Sequence, residues 1–135
     1  MAVAAIIVDS ASRILLIRRA KDPAKGQLAL PGGFVDFDET AESGLQREIS
    51  EELGLALQSF SYLTSQPNQY LYREVTYPVL DLFFVCRSVA TETSLMRTEV
   101  ESVCWLKRDE IDLEEIAFDS MKKALRCYFT NEIRN

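Results

Sequence analysis

The sequence contains no histidine. That absence excludes a Ser-His-Asp or Cys-His nucleophilic site, imidazole acid–base chemistry and any histidine-ligated metal. Cysteine is scarce. Cys86, Cys104 and Cys127 have no Cys-x-x-Cys spacing, and three thiols cannot all pair. Neither a disulfide scaffold nor a structural zinc site has support. No run of about 18 apolar residues occurs, so no membrane-spanning helix is expected. An excess of positive charge is missing as well. Lys and Arg number 15 against 21 Asp and Glu, a net charge of −6, which disfavours a basic nucleic-acid-binding surface. What is present is ordinary globular composition, 47% apolar and 27% charged over 135 residues. That is enough for one domain over residues 1–135. Any metal in it must be held by carboxylates.

The apolar start, Met1 to Val8, has no basic residue before it and reads as a strand rather than a signal peptide. With unpaired thiols and no export signal, the expected compartment is the cytoplasm. The chain enters this strand almost at once, which is compatible with its being the catalytic part of a longer protein. Residues 2–8 and 13–19 read as strands joined in a hairpin. Residues 21–27 form a loop holding Pro23 and Gly26, and 28–30 a short strand stopped by Pro31-Gly32-Gly33. Ala41, Leu45, Ile49 and Leu53 fall on one face of a helix over 40–53, closed by Gly54. Strands are expected at 57–65, 70–76, 79–87 and 100–106, a short turn or helix at 109–111, and a final helix at 119–130. Hairpins and few helices argue against a doubly wound sheet. The expected fold is an α/β/α sandwich around a mixed β-sheet. Exposed strand edges would permit a homodimer.

The chemistry is concentrated on the first helix. Glu48 and Glu52 are four residues apart, so their carboxylates project from one face, and Glu51 borders it. Like charges this close cost helix stability unless a divalent cation sits among them. Oxygen-only ligands select Mg²⁺ or Mn²⁺. Mg²⁺ bound by few carboxylates usually completes its shell with water and substrate phosphates, which points to phosphate-ester or phosphoanhydride chemistry.

The acids belong to a longer pattern: Gly33, Glu39, Arg47-Glu48-Ile49, Glu51-Glu52 and Gly54-Leu55. Seven of its positions admit one residue type. At about 6% usage each, a chance match is rarer than roughly one in 10⁸. The pattern resembles the signature box of the Nudix hydrolases, which cleave a nucleoside diphosphate linked to another group. The resemblance implies that Glu48 and Glu52 are the principal metal ligands. It makes Glu51 a further ligand or the group that orients the attacking water, and the Gly32 carbonyl a main-chain ligand. Arg47 and Glu39 correspond to a structural ion pair, and the adjacency of Arg47 to Glu48 turns it about 100° from the metal face. A distal acid is expected from the segment before Trp105: Glu99 first, then Glu101 or Glu92.

The substrate is less sharply written. Ser65-Gln66-Pro67, 11 residues past Gly54, resembles the start of a motif of the NADH pyrophosphatase branch, although Asn68-Gln69-Tyr70 replaces that motif's Trp-Pro-Phe core. Tyr70 and Tyr72, 16 and 18 residues past Gly54, sit about where the diadenosine polyphosphate branch carries a tyrosine. Tyr70, Tyr72 and Phe34 are therefore candidates to contact a base, and Arg18 to meet phosphate, with Arg19, Lys21, Lys25 and Arg73 as further cations. Phe37, Phe118 and Ser120 are additional pocket candidates. The expected activity is Mg²⁺-dependent (or Mn²⁺-dependent) hydrolysis of a dinucleotide such as NADH. The alternatives are a nucleoside triphosphate pyrophosphohydrolase and a non-catalytic nucleotide-sensing domain. The expected partner is a small nucleotide, with neither nucleic acid nor membrane.

Overall fold

The computed structural model describes residues 1–134, apart from the side chains of Tyr72, Ile133 and Arg134. The base-stacking candidate Tyr72 thus lies outside the described side chains. The elements run β1 (Ala2–Ile7), β2 (Ile14–Arg19), β3 (Leu28–Ala29), β4 (Gly32–Phe34), α1 (Ala41–Leu53), β5 (Leu57–Tyr72), β6 (Val75–Ser88), β7 (Val100–Leu106) and α2 (Asp119–Arg134). Single 3-10 turns stand at Arg108–Glu110 and Leu113–Glu115.

Strand alternation explains the layers. In β1 and just beyond, Val3, Ala5 and Ile7 pack in one core with Leu45, Ile49 and Leu53 of α1. Ala4, Ile6 and Val8 pack in a second with Ala124, Leu125 and Phe129 of α2. β2 repeats the division, Leu15 and Ile17 on the α1 side and Ile14 and Leu16 on the α2 side. Strands buried on both faces read as unbroken apolar runs. The result is an α/β/α sandwich, as expected. Its strands form a mixed sheet in the order β4-β1-β6-β5, where only β1 and β6 are parallel, and an antiparallel sheet in the order β3-β2-β7.

Three expectations need correction. β1 and β2 are not a hairpin. They lie in different sheets and pair only at an isolated Val8–Ile14 bridge just beyond β1, because each is central and needs partners on both edges. The strands expected at 57–65, 70–76 and 79–87 are two long strands, β5 and β6. Pro67 lies within β5 and is tolerated there because β5 is an edge strand. The turn falls at Arg73-Glu74, both with positive φ (49° and 66°), as a two-residue hairpin turn requires. Finally, the chain forms β4 directly after Pro31, where the expected strand had already stopped. A Cβ on Gly32 would strike the Val3 carbonyl, so the residue's lack of a side chain permits this pairing.

α1 is fixed at both ends. Thr40 accepts from the Ser43 amide while the Ser43 hydroxyl accepts from the Thr40 amide, a reciprocal cap. Gly54 closes the helix at φ 65°, a left-handed conformation suited to glycine. Among the described residues no helix is long and apolar enough to cross a membrane.

Candidate active site

α1 carries Glu52 on its buried face, and the carboxylate, 6% exposed, enters a cavity of about 110 Å³. Glu48, one turn earlier, shares a hydrogen bond with it. Two carboxylates can bond directly only if one holds a proton. Burial first, then that bond and the charges of Glu48 and Glu99, push the Glu52 carboxyl up to about 9, against the pull of Arg19. The Glu48 carboxylate rests on Gly33, where an added Cβ would lie 2.5 Å from its carbon. Glycine at 33 therefore leaves the space that Glu48 uses.

Arg47 ties this helix to the loop before it. Its Nε and Nη2 donate to the two Glu39 oxygens at 2.7 and 3.0 Å, and Nη2 also donates to the Phe34 carbonyl at 3.1 Å. The pair holds the Glu39 carboxyl below its ordinary range. Arg47 is not turned fully from the acids. Its Nη1 also reaches Glu48 at 3.1 Å and the half-exposed Glu51 at 3.3 Å. Among the described residues no three acidic or thiol side chains converge as a closed metal cage. The donor set still fits Mg²⁺, which binds through one or two carboxylates and keeps several waters.

The cavity collects residues from distant segments. Gly32, Gly33, Glu52, Glu99 and Arg19 line it together with Phe34, Tyr70, Asn68, Asp81, Phe118 and Met121. Glu99 is held by Lys21 at 2.6 Å. Arg19 donates from Nε to the Pro23 carbonyl at 2.7 Å and lies 5.2 Å over the Phe118 ring. Phe34 and Tyr70 meet edge to face at 5.3 Å. Asp81 is buried and accepts from the Ser120 hydroxyl at 2.7 Å and from Asn68. Burial raises its carboxyl, opposed by those bonds and by the terminal amine.

The model of the NUDIX domain matches residues 1–126. This chain belongs to the Nudix hydrolase family. It is 33% identical over 135 residues to the Nudix hydrolase YfcD of Escherichia coli, covering 96% of this chain and 72% of that protein. It is 31% identical over 113 residues to the human mitochondrial NAD(P)H pyrophosphatase NUDT13, covering 81% of this chain but only 30% of that protein. A MutT Nudix hydrolase from Burkholderia pseudomallei superposes with a TM-score of 0.79 at 28% identity, covering 93% of this chain and 94% of that structure.

Not every candidate of this Nudix hydrolase reaches the cavity. Arg18 does not line it. Its guanidinium donates to the Gly26 carbonyl at 2.7 Å, and Arg19 lines the cavity in its place. Successive strand residues face opposite sides, and a register shift between Arg18 and Arg19 hides the phase from the sequence. Glu48 and Glu51 lie outside the lining, Glu92 and Glu101 are exposed, and Phe37 is 94% exposed. Glu99 is the acid of that trio that lines the cavity. Asp81 and Asn68 had no sequence signal: each is a lone polar residue in a strand.

Proposed function

We propose that this protein hydrolyses the pyrophosphate of a nucleoside diphosphate joined to a second group, at a divalent cation held by Glu48 and Glu52. The observation that carries this reading is buried Glu52, bonded to the partly buried Glu48 one turn earlier and lining a cavity that also holds Arg19 and Glu99. The Gly32 carbonyl and Glu51 complete the proposed ligand set. When bound, Mg²⁺ or Mn²⁺ would polarise the phosphoryl oxygens and lower the pKa of an attacking water.

The residues of the chain have separate tasks. Arg19 offsets phosphate charge while Phe118 and the Pro23 carbonyl fix its guanidinium. Glu99, steadied by Lys21, orients the attacking water and takes its proton as the new P–O bond forms. The bridging P–O bond breaks and the leaving phosphate departs. Arg47 and Glu39 act at a distance by fixing the loop that carries Gly32 and Gly33 to α1. Phe34 and Tyr70 provide an aromatic wall for a base.

For the second group, a dinucleotide such as NADH is the preferred reading. Ser65-Gln66-Pro67 and the relationship to a pyrophosphatase of NAD(P)H support it. The alternative is a nucleoside triphosphate substrate. The sequence keeps Glu48, Glu51 and Glu52, which argues against a non-catalytic sensor. The protein is read as a cytoplasmic single domain acting on small molecules, with its strand edges permitting a homodimer.

The test is a hydrolysis panel of NADH, NAD⁺, ADP-ribose, diadenosine polyphosphates, sugar nucleotides and nucleoside triphosphates, with Mg²⁺, Mn²⁺ or EDTA. AMP and nicotinamide mononucleotide released from NADH support the dinucleotide reading. Pyrophosphate from triphosphates alone transfers the protein to the alternative. Full activity of Glu52→Gln would falsify the placement of the metal.

A further inference from the structure

Asp81 is a buried carboxylate that the proposed hydrolysis does not use. It lines the same cavity as Glu52, but from the opposite layer: Glu52 belongs to α1, whereas Asp81 is bonded to Ser120 of α2. Strand register places Phe34, Ala2, Asp81 and Gln66 in one row across β4, β1, β6 and β5. Asn68 and Tyr70, two and four residues beyond Gln66, share its face of β5. Phe34, Tyr70, Phe118 and Met121 supply the apolar and aromatic walls. The acidic end of the cavity is thus complemented by a flat apolar region with one carboxylate in it.

A carboxylate has about four lone-pair sites and, when ionised, only accepts. Burial raises the Asp81 carboxyl, while Ser120 and Asn68 each donate to it, oppose that rise and orient it. Asp81 lines the cavity, and these two bonds leave it acceptor capacity for a ligand there. A planar ligand there must present a donor edge, or it leaves a desolvated carboxylate unpaired.

On the reading that a nucleotide occupies this cavity, we propose that Asp81, positioned by Ser120 and Asn68, accepts from the amino edge of the substrate's base. It selects amino-bearing bases over counterparts that lack the amino group. Sites built to hydrogen-bond a polar group reject analogues lacking it far more strongly than apolar pockets reject a missing methylene. Asp81 is therefore a specificity residue, separate from the acids that carry out hydrolysis.

The experiment is equilibrium binding of mononucleotides, which needs no turnover. The intact protein is titrated calorimetrically with AMP and IMP, GMP and IMP, and CMP and UMP. At least one amino-bearing member should bind tenfold or more tightly than its partner. Asp81→Asn, which keeps the size of the side chain, should reduce that margin below threefold. Less than tenfold in every pair, no binding of any mononucleotide, or a margin that survives in Asp81→Asn overturns the proposal. The comparison in the unaltered protein can overturn it without any variant. A margin without hydrolysis of any substrate in the panel would leave the role of Asp81 standing and remove the proposed reaction. Hydrolysis without a margin would do the reverse.

Discussion

Gly33→Ala isolates the geometry on which the acid pair depends. Gly33 is not in the left-handed region, so its backbone accepts alanine. The added methyl would lie 2.5 to 2.7 Å from the carbon and both oxygens of the Glu48 carboxylate. Ordinary contact begins near 3.4 Å, so the carboxylate must retreat by about 0.9 Å. It is the free end of a flexible side chain, and fold stability should fall by less than about 1 kcal/mol, well under the cost of overpacking a rigid core. The reaction is less tolerant. A misplacement of about 1 Å can cost roughly a hundredfold in rate, which is about 2.7 kcal/mol of transition-state stabilisation. The assay is kcat/KM with the best substrate of the panel at saturating Mn²⁺, beside thermal unfolding of the metal-free protein. The expected result is about a hundredfold loss with Tm lowered by no more than about 4 °C. Unchanged kcat/KM would refute the placement of Glu48 against Gly33. A collapse in Tm would show that glycine there serves the fold instead.

Arg47→Lys keeps the charge but loses the paired bonds to Glu39 and the bond to the Phe34 carbonyl; it should cost about 2 kcal/mol in urea unfolding. Asp9 accepts from the Ala11 and Arg13 amides and pairs with the Arg13 guanidinium at 2.8 Å. Burial opposes its ionisation, yet these bonds hold the carboxyl below its ordinary 3.8. Asp9→Ala should therefore lower stability by about 1–2 kcal/mol at neutral pH, and the gap should close as pH falls below 3.8. Glu52 has the opposite sign, because its folded-state pKa is raised. In EDTA its contribution is present below about 4.5 and is lost as pH rises toward about 9. Glu52→Gln should flatten that slope in urea midpoints measured across pH; parallel profiles would contradict the assigned burial.

The acid helix was legible because everything that defines it is local. Ala41, Leu45, Ile49 and Leu53 set its buried face by period, and Glu48 and Glu52 follow from the same geometry. The Arg47–Glu39 contact also lies within one loop and helix. What depends on distant pairing was not legible. Nothing in residues 2–19 shows that β1 and β2 enter different sheets, since a strand buried on both faces looks alike in either. Arg18 and Arg19 could not be separated because the register shift sits between them. Asp81 joined the cavity through parallel pairing of β6 with β1 and a bond to Ser120, 39 residues away. The Arg73-Glu74 turn lacks the Asn-Gly or Asp-Gly signal that usually marks two-residue hairpins.

Metal binding by the Glu48–Glu52 pair is the central claim, and proton release tests it most directly. A cation entering the pair must displace the proton that burial keeps on Glu52. Calorimetric titration with Mn²⁺ near pH 7.5, repeated in buffers of different ionisation enthalpy, counts the protons released. About one proton per bound metal is expected for the unaltered protein, with binding weakened and release abolished in Glu52→Gln. Binding without proton release, or equal affinity and release in Glu52→Gln, would contradict the account.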